Sequence, residues 1–201
     1  MTSSLMPPSL MPHRRALLAS ALIWLYGLAI LFAMRRPLIC ECGTVKLWWG
    51  EVQSAENSQH LADWYSFSHV IHGLLFYAAA HILWRKLSLF DGSPARWALP
   101  IAVAIEASWE LLENSPMIID RYRAVTVSFG YSGDSIVNSM ADIGWMVAGF
   151  WAASRLPVKA SIAMGIVFEL FTLAMIRDNL TLNVLMLVWP LDAVRVWQAG
   201  G

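Results

Sequence analysis

Three glutamates lie at the end of an apolar stretch and could act together in proton transfer or metal binding. Glu106, Glu110 and Glu113 follow the run WALPIAVAI at spacings of four and three residues. On an α-helix these spacings place the three carboxylates along one stripe, about one turn apart. An ionised carboxylate facing hydrocarbon costs about 2.5–3.5 kcal/mol. The stripe must therefore face the protein interior, water or a cation.

A pair of histidines occurs near the start of another apolar segment. His69 and His72 are i,i+3 neighbours, so both imidazoles lie on one face of a helix. Two imidazoles at this spacing can chelate a transition metal or relay a proton. The alternative is that both hydrogen-bond to neighbouring helices. Because ionisable groups inside membrane segments often mark functional sites, we expect His69 and His72, together with Asp142, to hold a metal ion.

A third polar stripe opens the segment that follows Gly133. Asp134, Asn138 and Asp142 are spaced by four residues, which keeps them on one side of a helix. Asp134 also suits the N-cap position, where a carboxylate accepts hydrogen bonds from free backbone N–H groups. Asp142 lies two turns deeper, where capping cannot explain it.

We expect these stripes to converge on one polar chamber, in which the carboxylates would repel each other if all were ionised. They must be protonated, paired with histidine or with Arg121 or Arg123, or neutralised by a metal ion. The Glu-x-x-His motif of di-iron bundles does not occur in these stripes. The mixed set of donors therefore allows a divalent ion without naming it. The carboxylates are Glu106, Glu110, Glu113, Asp134 and Asp142.

The composition indicates that membrane helices position these stripes. The chain is 58% hydrophobic and 14% charged, whereas soluble domains are about 45–50% apolar and about 25% charged. The formal net charge is zero, so the composition gives nucleic-acid binding little support. We expect a multi-pass protein of the bacterial inner membrane, in contact with the lipid bilayer.

The predicted fold class is an all-α membrane protein. We expect residues 1–15 to be a disordered tail and residues 16–201 to form a single polytopic membrane domain. A short C-terminal segment should form an interfacial or re-entrant helix, because residues 180–189 are too few to cross a bilayer. Five apolar segments should form a bundle of transmembrane helices, joined by polar loops at 35–62 and 114–133: residues 16–34, 63–84, 97–113, 134–153 and 160–176.

The orientation of the bundle follows from one basic cluster. Lysines and arginines are equally divided between the two sides of the predicted bundle, so their count does not decide the topology. The densest cluster lies in the short loop 85–96, which we place inside together with the N-terminus. Loops 35–62 and 114–133, next to the polar stripes, are then outside.

Three further features leave alternatives open. Cys40 and Cys42 could form a local disulfide, supply two metal ligands or remain reduced. Glu169 lies alone in an apolar segment, where it could pair with a chamber histidine or act as a protonated hydrogen-bond donor. A polar group near the C-terminus, including Arg177 and Asp178, is typical of a network at helix ends.

Several motifs resemble one family of small bacterial inner-membrane proteins that has no established activity. The motifs are NSQHLADWY, SHVIHG, EASWELLENSP, IDRYR, GDSIVN and RDNLTLN, and the resemblance covers about residues 36–201. More remotely, the order of His, then Glu, then Gly-Asp…Asn…Asp resembles VanZ-like membrane proteins. Those proteins are linked to glycopeptide resistance, with no settled reaction, so this resemblance implies no mechanism.

The function that we predict is hydrolysis or group transfer on a lipid or lipid-linked substrate in a metal-binding chamber. The alternatives are a non-enzymatic binding or assembly factor and, less favoured because no internal repeat is evident, an ion-coupled carrier. The catalytic residues would be Glu110, Glu113 and Asp134, with Glu110 or Glu113 acting as base on a water held at the metal. Substrate binding would involve Arg121, Arg123 and Asn138, and the metal ligands would be His69, His72 and Asp142.

Overall fold

A computed structural model describes residues 12–126 and 130–200, and every regular element within these ranges is helical. The all-α prediction is therefore confirmed for this part of the chain. The first eleven residues of the predicted disordered tail lie outside the described residues. A π-helical turn, His81–Lys86, continues α2, and a 3-10 segment, Leu89–Trp97, precedes α3. The α-helices are α1 Arg14–Ala33, α2 Ser66–Ala80, α3 Ala98–Glu113, α4 Pro116–Val125, α5 Ile136–Arg155, α6 Val158–Ile176, α7 Leu180–Val188 and α8 Asp192–Gln198.

In the described part of the chain, three helices are long and apolar enough to cross a membrane: Arg14–Ala33, Ser66–Lys86 and Val158–Ile176. This finding suggests a membrane protein. The other two predicted spans correspond to α3, which has 16 residues, and α5, whose first half contains Asn138, Ser139 and Asp142. Length and composition thus support three of the five predicted spans.

Helices α2 and α5 pack backbone against backbone, which fixes the positions of the polar stripes that they carry. A Cβ on Gly73 would overlap the carbonyl oxygen of Met146, and a Cβ on Gly149 would overlap the carbonyl oxygen of Val70. Small residues permit this close approach between helices. As a result, His69 at the start of α2 faces Asp142 in the first half of α5.

The apolar core lies between α1, α2, α3 and α5, on one side of the polar residues. Leu31, Val103, Ile143 and Met146 are each at most 1% exposed. The N-terminal ends of α2 and α5 and the C-terminal end of α3 extend beyond this core on the same side. The site residues occupy these three ends.

The segment between α1 and α2 forms no helix and covers the N-terminal end of α5. Ser135 donates its hydroxyl hydrogen to the carbonyl of Gln59, and Asn138 donates from Nδ2 to the carbonyl of His60. Gln59 in turn donates from Nε2 to the carbonyl of Gly133 at 2.8 Å. This long loop is therefore an integral wall of the site region.

The same loop contains a disulfide between Cys40 and Cys42, one of the three alternatives left open by the sequence. Nearby, Glu56 accepts hydrogen bonds from Lys46 Nζ at 2.5 Å and His60 Nε2 at 3.1 Å. The hydrogen bond from Lys46, reinforced by that from His60, lowers the pKa of the Glu56 carboxyl.

Helix α4 lies within a segment that the sequence analysis predicts to be a polar loop. Its first residue is Pro116, whose fixed φ and missing N–H suit the first turn of a helix. Tyr122 donates to Asn183 Oδ1 at 3.0 Å, which ties α4 to α7. The C-terminal segment thus packs against the site region and contains two short helices, α7 and α8.

Glu169 caps the N-terminus of α7, so its role differs from both possibilities predicted from the sequence. Its carboxylate accepts backbone N–H bonds from Leu180 at 3.0 Å and Thr181 at 3.1 Å. A carboxylate at this position satisfies free N–H groups and the helix dipole. The physical reason for the difference is that α6 turns back on α7 at this point.

The predicted network of helix ends centres on Asp178, which follows α6. Its carboxylate accepts hydrogen bonds from the Tyr65 hydroxyl at 3.2 Å and Gln198 Nε2 at 3.1 Å. Burial, which outweighs these hydrogen bonds, raises the pKa of Asp178 to about 6.

Candidate functional site

A cavity of about 250 Å³ lies where α2, α3 and α5 end. Its lining is divided into a polar and an apolar part. The polar part includes His69, His72, Glu106, Glu113, Asp134 and Asp142. The apolar part includes Phe76, Ile105, Trp109, Leu180 and Val184. The polar stripes therefore meet in one cluster, as the sequence predicts.

Glu106 holds both histidines. Its Oε1 lies 2.6 Å from His69 Nδ1 and 3.0 Å from His72 Nδ1. A carboxylate is an acceptor, so this arrangement places the ring hydrogen of each imidazole on Nδ1 and leaves Nε2 with a lone pair. A carboxylate that orients histidines in this way is typical of the groups around a metal site. From the sequence alone, Glu106 is predicted only as one member of the carboxylate stripe.

The Nε2 atom of His69 points toward Asp142. The Nε2–Oδ2 distance is 3.8 Å, and Asp142 is held from its other oxygen by the hydroxyl of Ser66 at 3.3 Å. A lone pair opposite a carboxylate is unfavourable unless a cation lies between them. Two ligands about 2.1 Å from a common ion at a tetrahedral or wider angle are roughly 3.4–4.2 Å apart. The observed distance fits that requirement.

Glu110 is a buried carboxylate whose oxygens lack hydrogen-bond partners. The residue is 1% exposed, and neither Oε1 nor Oε2 accepts a hydrogen bond within the described part of the chain. Its nearest basic atom is His69 Nδ1, 3.6 Å from Oε1, which is already directed to Glu106. Burying a charged group without such a partner costs more folding free energy than losing an ordinary hydrogen bond. Glu110 is therefore the feature of the site that most needs a ligand.

Asp134 lies in one group of possible ligands with Glu110 and Glu113, and both of its carboxylate oxygens accept hydrogen bonds. Its Oδ1 accepts from the Tyr131 hydroxyl at 2.8 Å and its Oδ2 from Asn114 Nδ2 at 2.8 Å. The N-cap of α5 is Ser135, whose hydroxyl accepts from the N–H of Asn138. Capping is therefore not the role of the Asp134 side chain.

Ligand atoms group into three overlapping sets within the cluster. His69, His72 and Glu106 form one set, in which Glu106 accepts a hydrogen bond from each histidine. The second contains His69, Glu110 and Asp142, and the third contains Glu110, Glu113 and Asp134; in each set the ligand atoms lie within 4.8 Å of one another. The second set combines a nitrogen with carboxylate oxygens, which suits a divalent transition metal such as zinc or manganese.

The three predicted substrate-binding residues are not part of this cluster. Arg121 donates from Nε to the carbonyl of Leu187, and Arg123 donates from Nε to the carbonyl of Tyr131. Asn138 supports the covering loop, as described above. None of the three belongs to the lining that the structure describes. The predicted pairing of carboxylates with these arginines is replaced by contacts to the histidines and to neutral side chains.

Several residues that shape the site were not among those predicted from the sequence. Ser66 and Asn114 hold carboxylates directly, and Tyr131 does so from the far end of the second loop. Glu106 was identified in the stripe but given no role at the metal. Its spacing placed it on the correct face, but which histidine it would meet depends on the packing of α2 against α3.

The chain is similar to proteins of one bacterial family. The family model described as "Protein of unknown function (DUF2585)" matches residues 31–200. A UPF0314 protein of Novosphingobium aromaticivorans is 63% identical over 192 residues, covering 96% of each chain. A UPF0314 protein of Sphingopyxis alaskensis is 56% identical, with 92% of this chain and 95% of the relative covered. A UPF0314 protein of Rhizobium meliloti is 60% identical, with 83% of this chain and 82% of the relative covered.

No solved structure matches the chain. The relatives named here give the remote VanZ-like resemblance no support, whereas they confirm the resemblance to a bacterial family without an assigned activity. A match over residues 31–200 and identities above one half over nearly the whole chain identify the relationship. The chain therefore belongs to the DUF2585 family, whose members here carry the name UPF0314.

Proposed function

We propose that this protein is a multi-pass protein of the bacterial inner membrane and a metal-dependent hydrolase or transferase for a lipid or lipid-linked substrate. One observation carries the proposal: Glu110 is buried, its oxygens have no hydrogen-bond partner among the residues that the structure describes, and it lies with His69 and Asp142 in a set that could hold one ion. A purely structural bundle would not be expected to leave such a carboxylate unpaired.

His69 Nε2, Glu110 and Asp142 would bind the ion, and Glu106 would orient the imidazole of His69. In this arrangement His72 is a positioning residue, because its Nδ1 is directed to Glu106. A bound divalent ion would lower the pKa of a coordinated water and polarise an ester oxygen. Glu113 lines the cavity and is half-buried, so it can exchange a proton with solvent and serve as general base. Asp134 would hold the polar end of the cavity through Tyr131.

The apolar part of the cavity supports a lipid substrate. Ile105 and Val184 both line the cavity and are both 49% exposed. They lie on helices α3 and α7, so the cavity lining continues onto the apolar surface of the protein. A substrate with an acyl or prenyl chain could lie along that surface while its polar group reaches the carboxylates.

The disulfide and the N-terminal arginines favour a chamber on the outer side of the membrane. Arg14 and Arg15 begin α1, which suits a cytoplasmic N-terminus. The loop after α1, which carries the Cys40–Cys42 bond, would then face the oxidising side, where disulfides persist. The ends of α2, α3 and α5 that form the site lie on the same side as this loop.

Lipid turnover tests the proposed activity. Detergent-purified protein loaded with Zn²⁺ or Mn²⁺ would be incubated with a bacterial total lipid extract, and the lipids would be compared by mass spectrometry. We expect a change in one lipid class that chelation abolishes and that Glu110→Gln lowers at least a hundredfold. The variant Asp178→Asn, which alters a buried carboxylate outside the cavity, is the matched control. Metal-loaded protein that changes no lipid class would contradict the proposal.

A non-enzymatic binding or assembly factor is the second candidate. It is favoured by the partners of Asp134 and Glu106, because both carboxylates are held by several hydrogen bonds as in a structural network. On this account the purified protein would bind no metal, and Glu110→Gln would leave the function unchanged.

A further inference from the structure

The cluster contains more carboxylates than one divalent ion can balance. Glu110 and Asp142 lie 3.6 Å and 3.8 Å from ring nitrogens of His69, and Glu113 and Asp134 lie in one group of possible ligands with Glu110. Among the described residues, no lysine or arginine forms an ion pair with any of these four carboxylates. One divalent ion would neutralise two negative charges and leave two. A further cation, like protonation, would compensate carboxylates held this close together.

Glu110 also has one oxygen more than a single ion requires. Both Oε1 and Oε2 are buried, and neither has a hydrogen-bond partner within residues 12–126 and 130–200. If Glu110 used one oxygen for the ion at His69 and Asp142, the other would remain buried and unsatisfied, which is costly. Glu110 belongs to two sets of possible ligands, one with His69 and Asp142 and one with Glu113 and Asp134. Its position between these sets suits a carboxylate that bridges two ions.

We propose that the chamber holds a second divalent cation, bound by Glu110, Glu113 and Asp134, so that Glu110 bridges two ions. This inference rests on the proposed function, since it takes the ion at His69 and Asp142 as the first of the pair. The ligand atoms of Glu110, Glu113 and Asp134 lie within 4.8 Å of one another. All of them are carboxylate oxygens, which are the ligands that Mg²⁺ and Mn²⁺ prefer.

The surroundings of Asp134 fit a ligand role. Tyr131 and Asn114 each donate one hydrogen bond to its carboxylate, which fixes its orientation. Each carboxylate oxygen accepts more than one bond, so Asp134 can bind a cation while keeping these partners. With two ions present, Glu113 is a ligand rather than the general base, because metal-bound water is already acidic.

A pair of ions identifies a substrate class for the proposed activity. Two divalent ions about 3.5–4 Å apart, as in phosphatases and nucleases, stabilise the attacking and leaving oxygens in displacement at phosphorus. The inference therefore narrows the lipid or lipid-linked substrate to one that carries a phosphate ester or diphosphate beside an apolar chain.

Manganese titration of the detergent-purified full chain tests the second ion. We expect two Mn²⁺ per chain and an EPR spectrum of magnetically coupled ions, because a shared carboxylate couples them. Asp142→Asn should retain one uncoupled ion, bound by Glu110, Glu113 and Asp134. Asp134→Asn should retain one uncoupled ion, bound by His69, Glu110 and Asp142. Asp178→Asn should retain the coupled pair of the unaltered protein.

Other outcomes separate this inference from the proposed function. One ion per chain that is lost in Asp142→Asn and kept in Asp134→Asn would overturn the second site and leave the first. Two uncoupled ions would also overturn the bridge. The absence of bound Mn²⁺, together with a failure to bind Zn²⁺, would overturn both proposals. The number of Mn²⁺ ions that the unaltered protein binds, and their magnetic coupling, decide between one ion and a coupled pair even if a variant fails to fold.

Discussion

The contact between α2 and α5 allows a prediction about Gly149, at which the structure leaves no room for a side chain. A Cβ at Gly149 would overlap the carbonyl oxygen of Val70 and would lie 2.9 Å from its carbonyl carbon and 3.0 Å from its Cα, against ordinary contacts of 3.4–4 Å. Backbone atoms within a helix cannot move away singly. Gly149→Ala should therefore push the two helices apart by about half an ångström or more and cost about 1–3 kcal/mol of unfolding free energy.

A second glycine on the same helix provides the control. A Cβ at Gly144 would have no atom within 4 Å, and this residue is exposed. Gly144→Ala should be neutral or stabilise the helix by up to about 1 kcal/mol, because alanine has the higher helix propensity. Thermal unfolding in detergent, followed by the loss of helical circular dichroism, would compare both variants with the unaltered protein. If Gly149→Ala unfolds at or above the temperature of Gly144→Ala, the described packing of α2 on α5 is wrong.

Three other predictions concern the hydrogen-bond network at Asp178, the start of α7 and the orientation of the protein in the membrane. Burial raises the pKa of Asp178 from 3.8 to about 6, so its contribution to stability is present below about pH 4 and is lost as the pH rises through 6. Asp178→Asn should remove roughly 3 kcal/mol of this pH dependence, measured as unfolding free energy from pH 4 to 8; an unchanged pH profile would refute this assignment. Glu169→Ala removes the acceptors of the Leu180 and Thr181 N–H groups, while the N-cap Asn179 remains, and should cost about 1–2 kcal/mol. Hydrogen exchange at Leu180 and Thr181 should become faster, and unchanged exchange there would contradict this role of Glu169. The variant Asp91→Cys should react with a membrane-impermeant maleimide only after the membrane has been opened. Labelling of this cysteine in intact cells would reverse the proposed orientation.

The long elements of this fold could be predicted from the sequence because their signals are local. The first span was predicted to begin at residue 16 and α1 begins at Arg14, whereas the fifth was predicted at 160–176 and α6 is Val158–Ile176. Both are predominantly apolar and of bilayer length, although α6 contains Lys159 and Glu169. Helix α4, with 10 residues, lacks such a run and was predicted as a loop. Short polar helices depend on tertiary contacts, here with α7.

The candidate site could be predicted by residue type and face but not by partner. The spacing of the glutamates placed Glu106 and Glu110 on one stripe, and both are buried in the cluster. Which carboxylate meets the histidines depends on the axial shift between α2 and α3, which no local pattern contains. The same limitation applies to Arg121, which bonds to α7 instead of a carboxylate. Partners in distant elements are set by packing, so the sequence can only propose them.

The central claim is that Glu110 binds a cation together with His69 and Asp142, and metal content tests it directly. Protein purified in detergent without chelator would be analysed for transition metals by elemental analysis, next to Glu110→Gln and the control Asp178→Asn. We predict at least one divalent ion per chain in the unaltered protein and the control, and a loss of at least tenfold in Glu110→Gln without unfolding. Metal-free protein that also fails to take up Zn²⁺ or Mn²⁺, or equal metal content in Glu110→Gln, would contradict the claim.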